Sequence, residues 1–193
     1  MLFRSAADGA VTAAIDRWVW FAGWSDKFAQ IDGSSNPVAG PYFNFSTPEP
    51  AGVVAVLAPP ASSLLGLVSV VAPVIVSGNT SVVVASAERP LPAVTLGEVL
   101  ATSDLPGGVV NILTGPTGEL APVLAAHLDV NALDATGAVG DARLARSLEE
   151  MAADNVKRVR SAPAAEPDWT LPQDPRRILT FCETKTVWHP VGT

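Results

Sequence analysis

A stretch of 37 residues without a charged side chain, Ala51 to Ala87, constrains the fold of this chain more than any other feature. A membrane-spanning helix needs about 20 consecutive apolar residues, but prolines, glycines and Asn79 divide this stretch into shorter pieces. Two of these pieces, "GVVAVLA" (52–58) and "SVVVAS" (81–86), flank a longer apolar segment at 62–76. Such runs are typical of strands buried on both faces of a parallel sheet, joined by a helix. We therefore predict a strand–helix–strand unit and no membrane span.

The same alternation continues along the chain. "VVNILTG" (109–115) and "VNALDATG" (130–137) predict two further strands, and residues 91–101 and 119–127 predict helices. Strands that alternate with helices indicate an α/β fold with a doubly wound parallel sheet. Such sheets bind ligands at the carboxyl ends of their strands, which here read "APPASS", "ASAERP", "TGPTGE" and "ATGA".

The regions outside this alternation follow other patterns. We predict an amphipathic helix over 7–30, a loop at 33–41, a strand at 42–46 and a long charged helix over 141–159. Residues 176–192 alternate in character and are rich in β-formers, which predicts a final strand. No other strand lies beside it in the sequence, so it must pair with a distant segment.

Charge and cysteine content limit the partners and the compartment. The net charge is −7; residues 1–140 hold four basic side chains against eleven acidic ones, and residues 141–193 hold eight of each. A surface this poor in Lys and Arg argues against nucleic acid and anionic membranes as partners. The one cysteine cannot form an internal disulfide, and the opening residues do not read as a signal peptide. We expect a cytoplasmic protein.

Seven short motifs together resemble the aldehyde dehydrogenase superfamily, in the order and at the spacings of that family. They are Phe21–Trp24, Gly40–Phe45, Glu49–Val54, Pro59–Thr80, Pro106–Gly115, His127–Gly137 and Glu183–Trp188. The match runs over residues 16–160 and 178–188. It covers the middle of the family's nucleotide-binding domain and the strands of its oligomerisation arm. The family's catalytic domain would lie between these two blocks and is missing here, so the chain resembles a truncated member.

The resemblance implies a domain organisation. Residues 1–160 correspond to a partial Rossmann-like domain of the NAD-binding type, which includes an arm strand at 40–48. Residues 161–177 are then a linker, and residues 178–193 form the C-terminal strand of the small β oligomerisation arm.

The family oxidises an aldehyde to an acid with NAD or NADP through a cysteine thiohemiacetal, and this chain lacks the groups that do so. The Asn that stabilises the oxyanion falls on Ala61, the Lys that contacts the cofactor ribose on Val84, and the general-base Glu on Ala162. Cys182 lies in "FCETKTVW", which matches the C-terminal strand and not the catalytic loop. A missing oxyanion donor alone costs about 2.7–4 kcal/mol of transition-state stabilisation. We assign no catalytic residue and expect the chain to be inactive alone.

Several positions at the strand ends remain candidates for binding NAD or NADP. They are Pro59, in the elbow "PPASS" (59–63), and Ser86, Gly115, Thr136 and Gly137. Thr136 and Gly137 match the family's phosphate-facing motif, but a tight turn that requires glycine explains them as well. A turn explains the glycine at Gly115 equally well, and a serine such as Ser86 occurs at the end of a strand without any role in ligand binding. The two histidines are isolated, so no metal site is predicted.

Three functional alternatives follow from the resemblance. In the family, the oligomerisation arm pairs with the catalytic-domain sheet of a neighbouring subunit, and an open strand edge with aromatic residues favours such pairing. The chain is then a non-catalytic subunit that docks on a full-length aldehyde dehydrogenase paralogue or on another copy of itself. Alternatively it is a residual dinucleotide-binding protein, or an incomplete fragment of a longer dehydrogenase.

Overall fold

The computed structural model describes residues 2–192, which form two sheets and seven helices. The helices are α1 (Leu2–Ala22), α2 (Phe28–Asp32), α3 (Leu65–Val76), α4 (Leu91–Ala101), α5 (Thr117–Ala126), α6 (Ala142–Ala153) and α7 (Arg176–Leu179). The strands are β1 (Ser34–Asn36), β2 (Tyr42–Pro50), β3 (Val53–Leu57), β4 (Thr80–Val84), β5 (Val110–Leu113), β6 (Ala132–Asp134), β7 (Arg158–Arg160) and β8 (Cys182–Pro190). No helix among the described residues is long and apolar enough to cross a membrane.

Five strands form a parallel sheet in the order β5-β4-β3-β6-β7. Central β3 explains why the uncharged stretch is apolar on both faces. Val54 and Val56 pack in a cluster with α1 and α3, and Ala55 and Leu57 pack in a second cluster with α5 and α6. Ten of the twelve residues of α3 are buried, which accounts for a helix that is apolar on nearly all sides. The predicted α/β fold with a parallel sheet is confirmed.

The fifth parallel strand, β7, lies where the sequence predicted the end of a long helix over 141–159. That prediction is wrong beyond Ala153, the last residue of α6. Val156 adopts φ 57°, in the left-handed region that a β-branched residue rarely occupies, and the chain turns there into β7. The predicted helix over 7–30 is likewise two helices, α1 and α2, with turns at 23–27 between them.

The second sheet is antiparallel, in the order β1-β2-β8. β2 and β8 pair over their whole lengths, from Tyr42 opposite Pro190 to Pro50 opposite Cys182. The final strand therefore pairs with a distant segment, as predicted, but the predicted range 176–192 is wrong at its start, because Arg176–Leu179 form α7 and the strand begins at Cys182. Strand β2 extends four residues beyond the predicted 42–46, and β1 lies inside the predicted loop at 33–41.

Residues 161–175, which we call the strap, connect β7 to α7 without a helix or strand of their own. Helix α7 begins at Arg176, inside the predicted linker 161–177. The strap is fixed to the domain by Trp169, which is 5% exposed and packs in the same cluster as α1 and α3. It lies against the ends of the parallel strands, where a ligand is expected.

Candidate functional site

The five predicted cofactor-binding residues all follow parallel strands at their carboxyl ends. Pro59 follows β3, Ser86 follows β4, and Thr136 and Gly137 lie in a 3₁₀ turn, Thr136–Ala138, after β6. Gly115 follows β5 at the outer edge of the sheet, where its nearest neighbour is Leu120. The first four lie around the ends of the three inner strands, β4, β3 and β6, and Gly115 lies apart from them.

Ser86 fixes the elbow in place. Its side chain is buried, and its hydroxyl donates to the carbonyl oxygen of Pro60 at 2.9 Å and accepts from the backbone N–H of Arg89 at 3.3 Å. The Arg89 guanidinium in turn donates to the carbonyl oxygen of Ala61 at 2.9 Å. The side chains of Ser86 and Arg89 are thus both bonded to the backbone of the elbow.

Thr136 and Gly137 form a tightly packed turn. The buried Thr136 donates to Oδ1 of Asp134 through its backbone N–H, at 3.0 Å, and also through its hydroxyl. A Cβ added to Gly137 would meet the carbonyl group of Leu57 at 2.8 Å and the carbonyl oxygen of Ala58. Local packing therefore requires a glycine here, and contact of this turn with a cofactor stays a prediction.

A buried ion pair below this turn was missed by the sequence analysis. Nη2 of Arg177 lies 2.8 Å from Oδ2 of Asp134, with the side chains 8% and 0% exposed. Burial lowers the pKa of Arg177, and the Asp134 carboxylate opposes that shift. One signal was present in the sequence, since an Asp in the buried segment "VNALDATG" needs a partner. Nothing in the sequence pointed to Arg177, which lies 43 residues further along the chain.

The elbow holds a carboxylate from its own chain. Oε2 of Glu166 accepts from the backbone N–H of Ala61 at 2.9 Å, and Oε1 accepts from the N–H of Ser62 at 2.8 Å. Oε1 also accepts from Nε1 of Trp169 at 3.1 Å. Free backbone N–H groups that precede a helix attract anions. At the start of α3, Glu166 of the strap already binds two of them.

A second carboxylate caps helix α6, which follows β6. Helix α6 begins after the 3₁₀ turn, and Oδ1 of Asp141 accepts from the backbone N–H of Leu144 at 2.9 Å. An N-cap carboxylate satisfies a backbone donor and interacts favourably with the helix dipole. A dinucleotide pyrophosphate at this edge would therefore meet two internal carboxylates, Asp141 and Glu166.

The positions to which the resemblance assigns the ribose-binding Lys and the general base hold Val84 and Ala162, whose side chains carry no acid–base or donor group. Val84 is fully buried in the sheet, and Ala162 packs at the edge of the cluster formed with α5 and α6. Cys182 is 6% exposed, and its Sγ donates to the carbonyl oxygen of Ile178 at 3.5 Å. Burial raises the pKa of the Cys182 thiol, which disfavours the nucleophilic thiolate. Within residues 2–192, no three His, Cys, Asp or Glu side chains are grouped as they would be to hold a metal ion.

Comparison with known proteins decides the family. The model of the aldehyde dehydrogenase family matches residues 3–163. The chain belongs to the aldehyde dehydrogenase family. It is 34% identical to retinal dehydrogenase 2 of Mus musculus over 140 residues, which are 72% of this chain and 26% of that protein. It is 31% identical to the putative aldehyde dehydrogenase DhaS of Bacillus subtilis (strain 168) over 156 residues, 81% of this chain and 30% of that protein.

Solved structures agree on the fold. The NAD+ complex of an aldehyde dehydrogenase from Bacillus cereus superposes with a TM-score of 0.72 at 23% identity, and covers 81% of this chain and 31% of that one. At this identity the likeness concerns the fold alone. The chain spans between about a quarter and a third of the length of these relatives.

Proposed function

We propose that this aldehyde dehydrogenase family member is a non-catalytic subunit of a dehydrogenase assembly and docks through its antiparallel sheet. The observation that carries the proposal is the open edge of β8. Among the described strands, β8 pairs with β2 on one side and with none on the other. A nine-residue edge strand with free backbone donors and acceptors is a template for pairing with another chain.

Exposed aromatic side chains accompany this edge. Tyr42 and Phe43 at the start of β2 are 46% and 50% exposed, and Trp188 on β8 is 58% exposed. The rings of Tyr42 and Trp188 meet edge to face, with their centroids 5.8 Å apart. Aromatic residues of this kind are enriched among those that contribute most to binding at protein interfaces. They support a protein partner for this sheet.

The loss of the catalytic groups supports the non-catalytic part of the proposal. Ala61, Val84 and Ala162 replace the oxyanion donor, the ribose-binding Lys and the general base that the family resemblance implies. The partner we propose is a full-length paralogue, which contributes a catalytic-domain sheet, and a second copy of this chain is the alternative. We place the assembly in the cytoplasm, on the argument from the single cysteine.

Co-purification with a full-length paralogue tests the proposal. We expect the two chains to migrate together on a sizing column, and Trp188→Ala to weaken the complex about 30-fold, which corresponds to a hot-spot loss of about 2 kcal/mol. Val123→Ala is the control, because it removes an apolar side chain that is 64% exposed on α5. Independent migration of chain and paralogue, with the chain monomeric, would refute docking through this sheet.

Residual dinucleotide binding is the second candidate. It is favoured by the position of Pro59, Ser86 and the Thr136–Gly137 turn at the carboxyl edge of the sheet, and NAD or NADP is the cofactor it implies. One neighbour in structure is an NAD+ complex. The internal carboxylates at the elbow and at α6 weigh against this candidate.

A further inference from the structure

We propose that a cleft between the strap and α7 binds a small oxyanion, a carboxylate or phosphate carried by a small molecule. The cleft has a volume of about 380 Å³ and opens at the carboxyl edge of the sheet. We call it the arginine cleft; its charged and aromatic lining consists of Arg160, Asp168, Trp169, Asp174, Arg176 and Arg177. It is distinct from the elbow, and the inference does not depend on the subunit role.

An excess of buried positive charge underlies this cleft. Arg17 and Arg177 are 9% and 8% exposed, and Asp134 is the one carboxylate within 4.0 Å of either guanidinium among the described residues. Arg17 bonds instead to neutral groups, the carbonyl oxygens of Trp169 at 2.7 Å and Leu171 at 3.3 Å. Asp134 thus pairs with Arg177, while Arg17 has no carboxylate partner within residues 2–192, and a buried cation without a counter-ion costs free energy unless a negative charge approaches.

The guanidinium of Arg177 is incompletely bonded. Nη2 donates to Asp134, whereas Nε is buried and has no partner among the described residues. The nearby charges of Arg160 and Arg17 add to the effect of burial in lowering the pKa of Arg177, as expected where cations lack counter-ions. The Trp169 ring lies 5.5 Å from the Arg177 guanidinium carbon and holds this side chain in place.

Two further arginines face the cleft without an ion pair. Arg160 is the last residue of β7, paired in register with Asp134, and Arg176 begins α7. Neither has a carboxylate oxygen within 4.0 Å in the described part of the chain, since the ion pairs found there involve other cations. A guanidinium presents a planar fork of donors that matches a carboxylate or phosphate.

The two carboxylates at the cleft are committed to local turns. Asp168 accepts from the backbone N–H of Thr170 at 2.9 Å and from its hydroxyl at 2.6 Å, and the pKa of Asp168 is lowered by these bonds. Asp174 accepts from the backbone N–H of Arg176 at 2.9 Å. Both side chains are exposed carboxylates, which disfavour a polyanion at the cleft. They leave room for a small mono- or dianion on the arginine side of the cleft.

The inference is tested by measuring whether inorganic phosphate and malonate bind the chain. Calorimetry and the melting temperature report binding, and chloride keeps the ionic strength constant in all samples. We expect at least one of them to bind in the millimolar range, and Arg160→Gln to weaken binding at least about 5-fold, as expected for one lost charge-assisted contact. Arg143→Gln on α6 is the control, because that side chain is exposed and makes no ion pair in the described structure. If phosphate binds more tightly, the natural ligand carries a phosphate group. If malonate binds more tightly, the natural ligand carries a carboxylate group.

Two results would overturn the inference. One is the absence of any effect of either anion beyond that of chloride. The other is an equal loss of affinity in Arg160→Gln and Arg143→Gln, which would indicate non-specific screening. If Arg160→Gln does not fold, Arg176→Gln replaces it, because Arg176 is exposed and its side chain makes no hydrogen bond or ion pair in the described structure.

Discussion

At the carboxyl edge of the sheet, single polar residues are bonded to other parts of the same chain. The hydroxyls of Ser86 and Thr136 are bonded to Pro60 and Asp134, and the Glu166 carboxylate binds the elbow amides. Each of these bonds satisfies a polar group that a ligand would otherwise satisfy. These bonds within the chain lie at the ends of β4, β6 and β3.

Gly137 gives the sharpest prediction at the scale of the residue. Gly137→Ala would force a Cβ to within 2.8 Å of the carbonyl group of Leu57, which is backbone and cannot move aside. We expect the free energy of unfolding, measured by urea titration, to fall by more than about 2 kcal/mol, in the range of overpacked cores. Gly118→Ala is the control: nothing lies within 4 Å of the added Cβ in α5, so a gain of up to about 1 kcal/mol is expected. Equal effects of the two changes would contradict the tight turn.

At the scale of the element, the strap completes the fold. Trp169 is 5% exposed, bonds to Glu166 through Nε1 and carries the carbonyl that accepts from Arg17. These contacts join an irregular segment to α1, to the elbow and to the ion pair below the turn. The strap thus occupies the stretch of sequence in which the family resemblance places a catalytic domain.

Removing the Trp169 side chain should detach the strap from the rest of the domain. We expect Trp169→Ala to lower the free energy of unfolding by about 3–5 kcal/mol, as for other buried aromatic truncations. Trp188→Ala, which removes the same side chain at a site 58% exposed, should change it by less than about 1 kcal/mol. Circular dichroism during urea titration measures both. A loss at Trp169 no larger than at Trp188 would show that the strap contributes little to the fold.

The elements that sequence could predict are those whose own residues determine them. Strands β3 (VVAVL) and β4 (TSVVV) are rich in β-branched residues, and α4 spans the predicted residues 91–101. Strands β1 (SSN) and β7 (RVR) contain no apolar run that would mark them in the sequence, and they form because a neighbouring strand supplies the hydrogen bonds. The contacts of Glu166 with Ala61 and of Arg177 with Asp134 span 105 and 43 positions. Such pairs depend on the folded path of the chain, which local sequence does not contain.

At the scale of the whole molecule, the carboxyl edge of the sheet has carboxylates at two helix starts and an excess of arginines at a nearby cleft, and these affect anionic ligands in opposite ways. The two helix starts at α3 and α6 hold carboxylates, which disfavour a pyrophosphate, while the arginine cleft beyond them has cations in excess. Charge at this edge therefore favours a small anion at the cleft over a dinucleotide across the sheet. A ligand that binds only the folded state raises its stability by an amount set by the ratio of concentration to Kd.

The melting temperature with and without NAD or NADP measures how tightly the chain binds a dinucleotide. At 1 mM, a dinucleotide with a Kd of about 10 µM would raise the free energy of unfolding by about 2.7 kcal/mol, which raises the melting temperature by roughly 5–10 °C for a chain of this size. A dinucleotide with a Kd of about 1 mM or weaker would raise the free energy of unfolding by at most about 0.4 kcal/mol. We expect a shift of at most about 1–2 °C for the native chain. Glu166→Ala, which frees the elbow amides, should show a larger dinucleotide-dependent shift, and Glu98→Ala, at an exposed position on α4, should behave as the native chain. A shift of about 5 °C or more in the native chain would mean that the dinucleotide displaces the Glu166 carboxylate, and residual dinucleotide binding would then replace the subunit role as the better account of this protein.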